Sequence, residues 1–143
     1  MDKFVVGFGF TIDEEQTDSR VLLVKKNRPA WQKGRLNGIG GKIEAKESPQ
    51  AAMARECLEE TGLELTWTLR GLLRGTNIDG RTFECHLFYA YSNDLLNFQQ
   101  REDEPLGLYR PEELSTHQIV DSLDFLIPYG LSKDRLPFMT LTY

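Results

Sequence analysis

Apolar and polar positions alternate along most of the chain, and this pattern predicts strands with a few helices between them. Six strands are predicted, over residues 4–12, 20–26, 64–76, 81–92, 106–109 and 136–143. Asp79 and Gly80 lie between the third and the fourth strand, where this pair favours a hairpin turn. Residues 36–44 (LNGIGGKIE) are rich in glycine and are expected to be irregular.

The clearest helix follows this glycine-rich segment. Ser48 is a typical N-cap, and Pro49 suits the first helical position because that position needs no backbone N–H donor. The helix is expected to run to about Thr61, with Gly62 in the left-handed position that ends a helix. Two further helices are predicted, at 111–114 and 121–131. Strands with helices between them predict an α/β fold in which helices cover the faces of a sheet.

Composition limits the classes of protein to which this chain can belong. Its 143 residues suit one domain, 1–143, and no apolar stretch approaches the ~20 residues of a membrane helix. The net charge of −5 argues against a nucleic acid polymer as partner. With no signal-peptide pattern and only two cysteines, a cytoplasmic protein with reduced thiols is expected, as a monomer or homodimer.

Three glutamates share one side of the helix that begins after Ser48. At 100° per residue, Glu56, Glu59 and Glu60 fall within an arc of about 100°. Ala51, Ala54 and Leu58 form the apolar stripe that is expected to pack on the sheet, beside the acidic arc.

Like charges at this spacing destabilise a helix by roughly 0.2–0.5 kcal/mol per pair in water. The repulsion grows as the surroundings become less polar. A divalent cation would turn it into attraction, and carboxylate oxygens suit Mg²⁺ or Mn²⁺. A solvated acidic helix face is the alternative interpretation of three helical glutamates.

The segment from Gly41 to Leu63, GKIEAKESPQAAMARECLEETGL, resembles the complete Nudix box. In that motif a glycine, five residues, Glu and seven residues precede Arg-Glu-U-x-Glu-Glu-x-Gly-U, where U is bulky and apolar. Every fixed position is matched, by Gly41, Glu47, Arg55, Glu56, Glu59, Glu60, Gly62 and Leu63. Cys57 stands where an aliphatic residue is usual, and cysteine packs as a small apolar residue.

The resemblance implies a Nudix-type α/β/α sandwich with a mixed β-sheet, and a hydrolase that uses Mg²⁺, or Mn²⁺, on a nucleotide. It implies that Glu56, Glu59 and Glu60 hold the metal, together with the Gly40 carbonyl. Arg55 and Glu47 would fix the loop against the helix, or form no more than an exposed ion pair.

A later loop often adds a fourth carboxylate in this family. Glu104 is the candidate as metal ligand or general base, with Glu102, Asp103 and Glu84 as competitors. A plain acidic loop is the alternative.

The residues before the box, 36–42, resemble the MutT-like branch of the family, whose members hydrolyse oxidised purine triphosphates such as 8-oxo-dGTP. Asn37 could hydrogen-bond a purine edge, and Asp121 could accept from guanine donors. The alternatives are that Asn37 supports a turn and Asp121 caps the last helix. Lys42 and Arg28 could attract a polyphosphate, or form a solvated basic edge.

The favoured function is therefore metal-dependent hydrolysis of the pyrophosphate linkage of a small nucleotide, with a purine nucleoside triphosphate as first choice. ADP-ribose or another nucleotide sugar, and dinucleoside polyphosphates, are the alternatives within the same class. A domain that senses nucleotides without hydrolysing them is the rival from another class. The three glutamates argue against that rival, because sensing needs no metal-activated water.

Overall fold

The computed structural model describes residues 1–15, 18–132 and 137–143. Its strands are β1 (Asp2–Phe10), β2 (Val21–Lys25), β3 (Leu36–Asn37), β4 (Ile39–Lys42), β5 (Thr68–Thr76), β6 (Thr82–Tyr91), β7 (Leu106–Tyr109) and β8 (Met139–Thr142). The α-helices are α1 (Pro49–Thr61) and α2 (Leu123–Leu131), and 3₁₀ helices span Ala30–Gln32, Asn93–Asn97 and Pro111–Thr116.

The eight strands form one mixed sheet. Six of them follow the order β3-β2-β1-β6-β5-β8, while β4 pairs with β1 and β7 pairs with β2. The central pair, β1 and β6, is parallel, and β5 and β6 form the antiparallel hairpin that the Asp79-Gly80 pair predicted. The last predicted strand is present as β8, and Leu136, its expected first residue, lies outside the described residues.

Apolar side chains cover both faces of this sheet. On one face, Met53 and Cys57 of α1 pack with Ile39 and Phe88. On the other face, Leu123, Leu126 and Ile127 of α2 pack with residues that include Phe8 and Tyr89. The predicted α/β/α sandwich with a mixed sheet is thus confirmed. No helix among the described residues is long and apolar enough to cross a membrane.

Helix α1 begins and ends as its sequence predicts. The Ser48 side chain accepts a hydrogen bond from the backbone N–H of Ala51, and Pro49 is the first helical residue. Gly62 ends the helix with φ 74°, a left-handed conformation that costs glycine little. The cap and the terminating glycine therefore fix the length of the helix that carries the acidic residues.

The predicted buried stripe of α1 was wrong. Ala51 and Ala54 are exposed and Leu58 is 40% exposed, whereas Met53 and Cys57 are buried. The buried face is centred on the side that carries Glu60, which is only 6% exposed. Because Met53 and Cys57 fill the space against the sheet, the helix turns Glu60 inward and Ala51 and Ala54 outward. Of the acidic arc, Glu60 thus belongs to the packed face, Glu56 is half-buried and Glu59 is exposed.

The glycine-rich segment, residues 36–44, was also expected to be irregular, and this was wrong for Leu36–Asn37, which form β3, and for residues 39–42. They form β4, in which Gly40 pairs with Val6 and Gly41 with Val5 of β1. A Cβ at Gly40 would collide with the backbone of Val5, so glycine allows this close pairing. The pairing with β1 fixes Gly40 and Gly41 near the centre of the sheet, next to α1.

Candidate active site

Arg55 is the centre of the polar network between α1 and the loop before it. Its Nε and Nη2 donate to the two carboxylate oxygens of Glu47 at 2.7 and 2.9 Å, a paired geometry that is strong for arginine. Nη1 donates to Glu56 at 3.0 Å and to Glu59 at 3.3 Å, and Nη2 also donates to the Lys42 carbonyl at 3.1 Å. The expected pair of Arg55 and Glu47 is present, and Arg55 also orients two of the helical glutamates.

These contacts set the ionisation of the network. The guanidinium of Arg55 lowers the pKa of Glu47 to about 2 by hydrogen bonding, helped by the backbone N–H of Glu44. Burial raises the pKa of Glu56, although the charge of Arg55 opposes this effect. Glu47 is therefore a permanent anion that holds Arg55, whereas Glu56 keeps its negative charge at a cost.

Glycine at position 41 makes room for the Glu56 carboxylate. A Cβ there would collide with that carboxylate. Because Gly41 is paired with Val5 in the sheet, it cannot move away from the helix. The close approach of β4 to α1 therefore requires glycine at the first fixed position of the motif.

Glu60 is the most unusual carboxyl group of the site. It is 6% exposed, and its Oε2 atom is buried without a hydrogen-bond partner among the described residues. Burial raises its pKa to about 8, and the negative charges of Glu56, Glu102 and Glu104 add to this effect. A buried acceptor without a donor costs free energy, so this oxygen calls for a positive partner.

The residues present fit a hard divalent cation as that partner. Glu56, Glu59 and Glu60 supply carboxylate oxygens from one helix, beside Gly41 of β4, which lies against the Glu56 carboxylate. As the side chains of the described residues stand, no three acidic, histidine or cysteine groups converge on one point. The reason is that Arg55 holds Glu56 and Glu59 while Glu60 points inward, so binding would require rotation of these side chains.

Glu104 lies near the helical glutamates, but both of its carboxylate oxygens already accept hydrogen bonds. Its Oε1 accepts from Lys26 Nζ at 3.0 Å, and its Oε2 accepts from the backbone N–H of Asn27 at 2.5 Å. Burial raises the pKa of Glu104, but these two donors more than compensate, so the pKa is lowered. The carboxylate is therefore an anion that ties the loop after β2 to the loop before β7.

The competitors of Glu104 lie in different places. Asp103 pairs with Arg28 at 3.4 Å on the surface, and Glu84 pairs with Arg74 at 3.4 Å on the β5–β6 hairpin. Glu102 is exposed, and its charge contributes to the raised pKa of both Glu56 and Glu60. Of the three competitors, Glu102 has the clearest electrostatic link to the helical glutamates.

The two candidate base-reading residues lie on neighbouring segments. Leu36, just before Asn37, is bonded to the segment that leads to Asp121, because its carbonyl accepts from the Val120 N–H at 3.0 Å. The Asn37 amide donates to Gln32 at 3.0 Å and its oxygen accepts from the N–H of Gly38 at 2.8 Å. Asn37 thus supports its own turn, and the exposed Asp121 lies beside that turn.

The two candidate phosphate-binding residues are surface cations. Arg28 is beside Asp103, and the charge of Lys42 lies 4.0 Å from Asp2, with its side chain 69% exposed. Lys26 is less exposed than either: its Nζ donates to Glu104 at 3.0 Å, and its charge acts on Glu60. The pairing of Lys26 with Glu104 was not predicted, since no spacing rule links two residues 78 positions apart.

Comparison with solved structures identifies the class of fold. A MutT protein from Bacillus halodurans superposes with a TM-score of 0.72 at 21% identity, over 100% of this chain and 90% of the other. The NUDIX domain of Shewanella oneidensis NrtR, solved with ADP ribose, gives a TM-score of 0.73 at 17% identity, over 88% and 83% of the two chains. At these identities the likeness establishes the Nudix fold alone.

The family follows from the sequence comparisons. Residues 3–128 match the NUDIX domain, so the chain belongs to the NUDIX family. It is also 29% identical to the CTP pyrophosphohydrolase of Escherichia coli (strain K12) over 100 residues, which are 68% of this chain and 72% of the relative. The resemblance of residues 41–63 to the Nudix box is thereby confirmed as a family relationship.

The burial of Glu60 predicts a pH-dependent stability. Its pKa is about 8 in the folded protein against an ordinary 4.5, so folding favours the protonated form. The contribution of Glu60 to the free energy of unfolding should therefore be fully present below pH 4.5 and be lost as the pH rises to 8, by up to about 1.4 kcal/mol per pH unit. Glu60→Gln should remove this part of the slope.

Thermal unfolding in EDTA across this pH range, for the wild type and the variant, measures the difference. Other groups contribute equally to both proteins and cancel. Parallel curves for the two proteins would show that Glu60 is not buried as described.

Proposed function

We propose that this protein is a metal-dependent hydrolase of the pyrophosphate linkage in small nucleotides. The buried oxygen of Glu60, which has no hydrogen-bond partner within the described ranges and lies beside Glu56 and Glu59, is the observation that supports this proposal most strongly. Membership of the NUDIX family and the similarity to a CTP pyrophosphohydrolase support the reaction type. The two cysteines are free thiols, which agrees with a protein of the reducing cytoplasm.

The proposed cofactor is Mg²⁺, with Mn²⁺ as a substitute. Glu56, Glu59 and Glu60 would hold it, with the Gly40 carbonyl and Glu104 as further ligands. The cation would neutralise charge on the phosphates and lower the pKa of a bound water. Arg55 keeps Glu56 in place, and Glu47 keeps Arg55 in place. Glu104 is also the candidate general base.

The substrate favoured by this proposal is a purine nucleoside triphosphate, in its normal or oxidised form. The neighbouring positions of Asn37 and Asp121 support it, because amide and carboxylate groups together match the donors and acceptors of a purine edge. Arg28 and Lys42, as exposed cations, are the proposed phosphate contacts. The similarity to a CTP pyrophosphohydrolase favours a pyrimidine triphosphate as the second candidate, and NrtR with ADP ribose supports a third.

A panel of nucleotides with Mg²⁺ tests the proposal. We expect the wild type to hydrolyse nucleoside triphosphates, detected as released phosphate or pyrophosphate. Glu60→Gln should lower kcat by at least about 100-fold, since one preorganised electrostatic group is commonly worth that much. Glu64→Gln, which makes the same change at an exposed position after the helix, is the matched control and should keep full activity.

A wild type that binds nucleotides but hydrolyses none would support the rival, a sensing domain. Near-normal turnover by Glu60→Gln would mean that another set of residues holds the cation.

The purine preference has its own prediction. Asp121→Ala should reduce kcat/KM for GTP and 8-oxo-dGTP by about tenfold, and for CTP by much less, because guanine offers a carboxylate two adjacent donors, its ring N–H and its amino group, whereas cytosine offers only its amino group. Asp124→Ala, an exposed carboxylate in the first turn of α2, is the control. An unchanged ranking of the bases after Asp121→Ala would show that other groups recognise the base.

A further inference from the structure

Gln100 has a side chain whose hydrogen bonds all go to one short loop. Its Nε2 donates to the backbone carbonyls of Glu102 and Glu104 at 2.8 and 2.7 Å. Its Oε1 accepts from the backbone N–H of Leu106 at 2.7 Å. Three bonds from one amide therefore fold the chain from Glu102 to Leu106 around Gln100, just before β7.

Residues 102–104 are three consecutive acidic residues, which we call the acidic loop. Two of them interact electrostatically with Glu60 of α1. Glu104 is fixed in it by Lys26 and by the backbone of Asn27. Glu102 and Glu104 both act electrostatically on Glu60, whose buried Oε2 has no hydrogen-bond partner in the described part of the chain. Two elements, α1 and the acidic loop, thus bring carboxylates within electrostatic range of one another, and the Gln99 N–H bond to the Thr61 carbonyl joins the two elements.

Like charges do not remain together without a restraint. The acidic loop would move away from Glu56 and Glu60 if its backbone were free, because repulsion grows where water is excluded. At its start the chain is held to α1 by the Gln99 N–H, which donates to the Thr61 carbonyl at 2.9 Å. Between that point and the Glu104 anchor, Gln100 supplies the bonds that hold the backbone of Glu102.

We propose that Gln100 is a positioning residue, which holds the acidic loop against Glu60 so that Glu102 and Glu104 help to bind the divalent cation. The inference rests on the proposed function, because it concerns the same cation site. It assigns Gln100 no contact with substrate or with the cation. Its role is to keep oxygen ligands from a second element of the fold near those of α1.

Manganese binding measured by calorimetry, without any nucleotide, tests this role. Gln100→Met keeps the size of the side chain and removes all three bonds, and we expect Mn²⁺ to bind about tenfold more weakly. Gln99→Met is the matched control, since it removes only the bond that Gln99 Oε1 accepts from Arg101 at 2.9 Å and leaves the backbone bond to Thr61. Its affinity for Mn²⁺ should equal that of the wild type.

A second comparison separates positioning from a loss of fold. Glu102→Gln should weaken Mn²⁺ binding in the wild type and have little further effect in Gln100→Met, because the loop is then already displaced. The melting temperatures without Mn²⁺ show whether each variant folds. Gln100→Asn, which keeps an amide on a shorter chain, replaces Gln100→Met if that variant does not fold, and should show a smaller loss.

The outcomes distinguish the two proposals. A wild type that binds no Mn²⁺ would overturn the proposed function. If the wild type binds Mn²⁺ and the folded Gln100 variant binds it with the same affinity, only the role of Gln100 would be overturned. Additive effects of Glu102→Gln and the Gln100 variant would also overturn it.

Discussion

The burial of the Glu60 carboxyl group against other carboxyl groups is the constraint on which the rest of the site depends. A carboxylate that is 6% exposed, with one oxygen unpaired among the described residues, is costly in a folded protein. The surrounding structure offsets only part of this cost. Arg55 compensates Glu56 and Glu59 from one side, and Lys26 compensates Glu104 from the other. Neither cation is bonded to Glu60, so the site remains rich in negative charge where a divalent ion would fit.

The fold makes this arrangement possible because it restricts the movement of each part. Gly41 is paired with β1 in the sheet, and α1 is held to the sheet by Met53 and Cys57. The Glu56 carboxylate lies in the space between them, where any side chain at position 41 would collide. Glu47 extends the restriction to the loop, through its two bonds to Arg55. The geometry of the motif is thus a packing requirement as much as a chemical one.

Local signals in the sequence predicted the elements well. Ser48, Pro49 and Gly62 mark the ends of α1 because capping and helix termination depend on neighbouring residues. The direction in which α1 faces was not predictable in the same way. Alanines and a leucine predicted one buried stripe, but the buried face contains Met53, Cys57 and Glu60, although an acidic side chain is ordinarily exposed. At a functional site this rule fails, since the buried acid is what the chemistry requires.

The longer-range features had no signal in a single sequence. The bond between Lys26 and Glu104 joins residues 78 positions apart, and the contact of Leu36 with Val120 joins the two candidate base-reading segments across most of the chain. The acidic loop could be noticed from its composition, but its restraint by Gln100 depends on a folded backbone. The sequence therefore predicts which residues carry charge, and the fold decides which of these charges meet.

The most direct test of the central claim is an anomalous difference map from crystals of the protein soaked in Mn²⁺. We expect a strong peak between α1 and the stretch of β4 at Gly40 and Gly41, within bonding distance of Glu56 and Glu60. A map without a peak there, at a manganese concentration that supports hydrolysis, would contradict it.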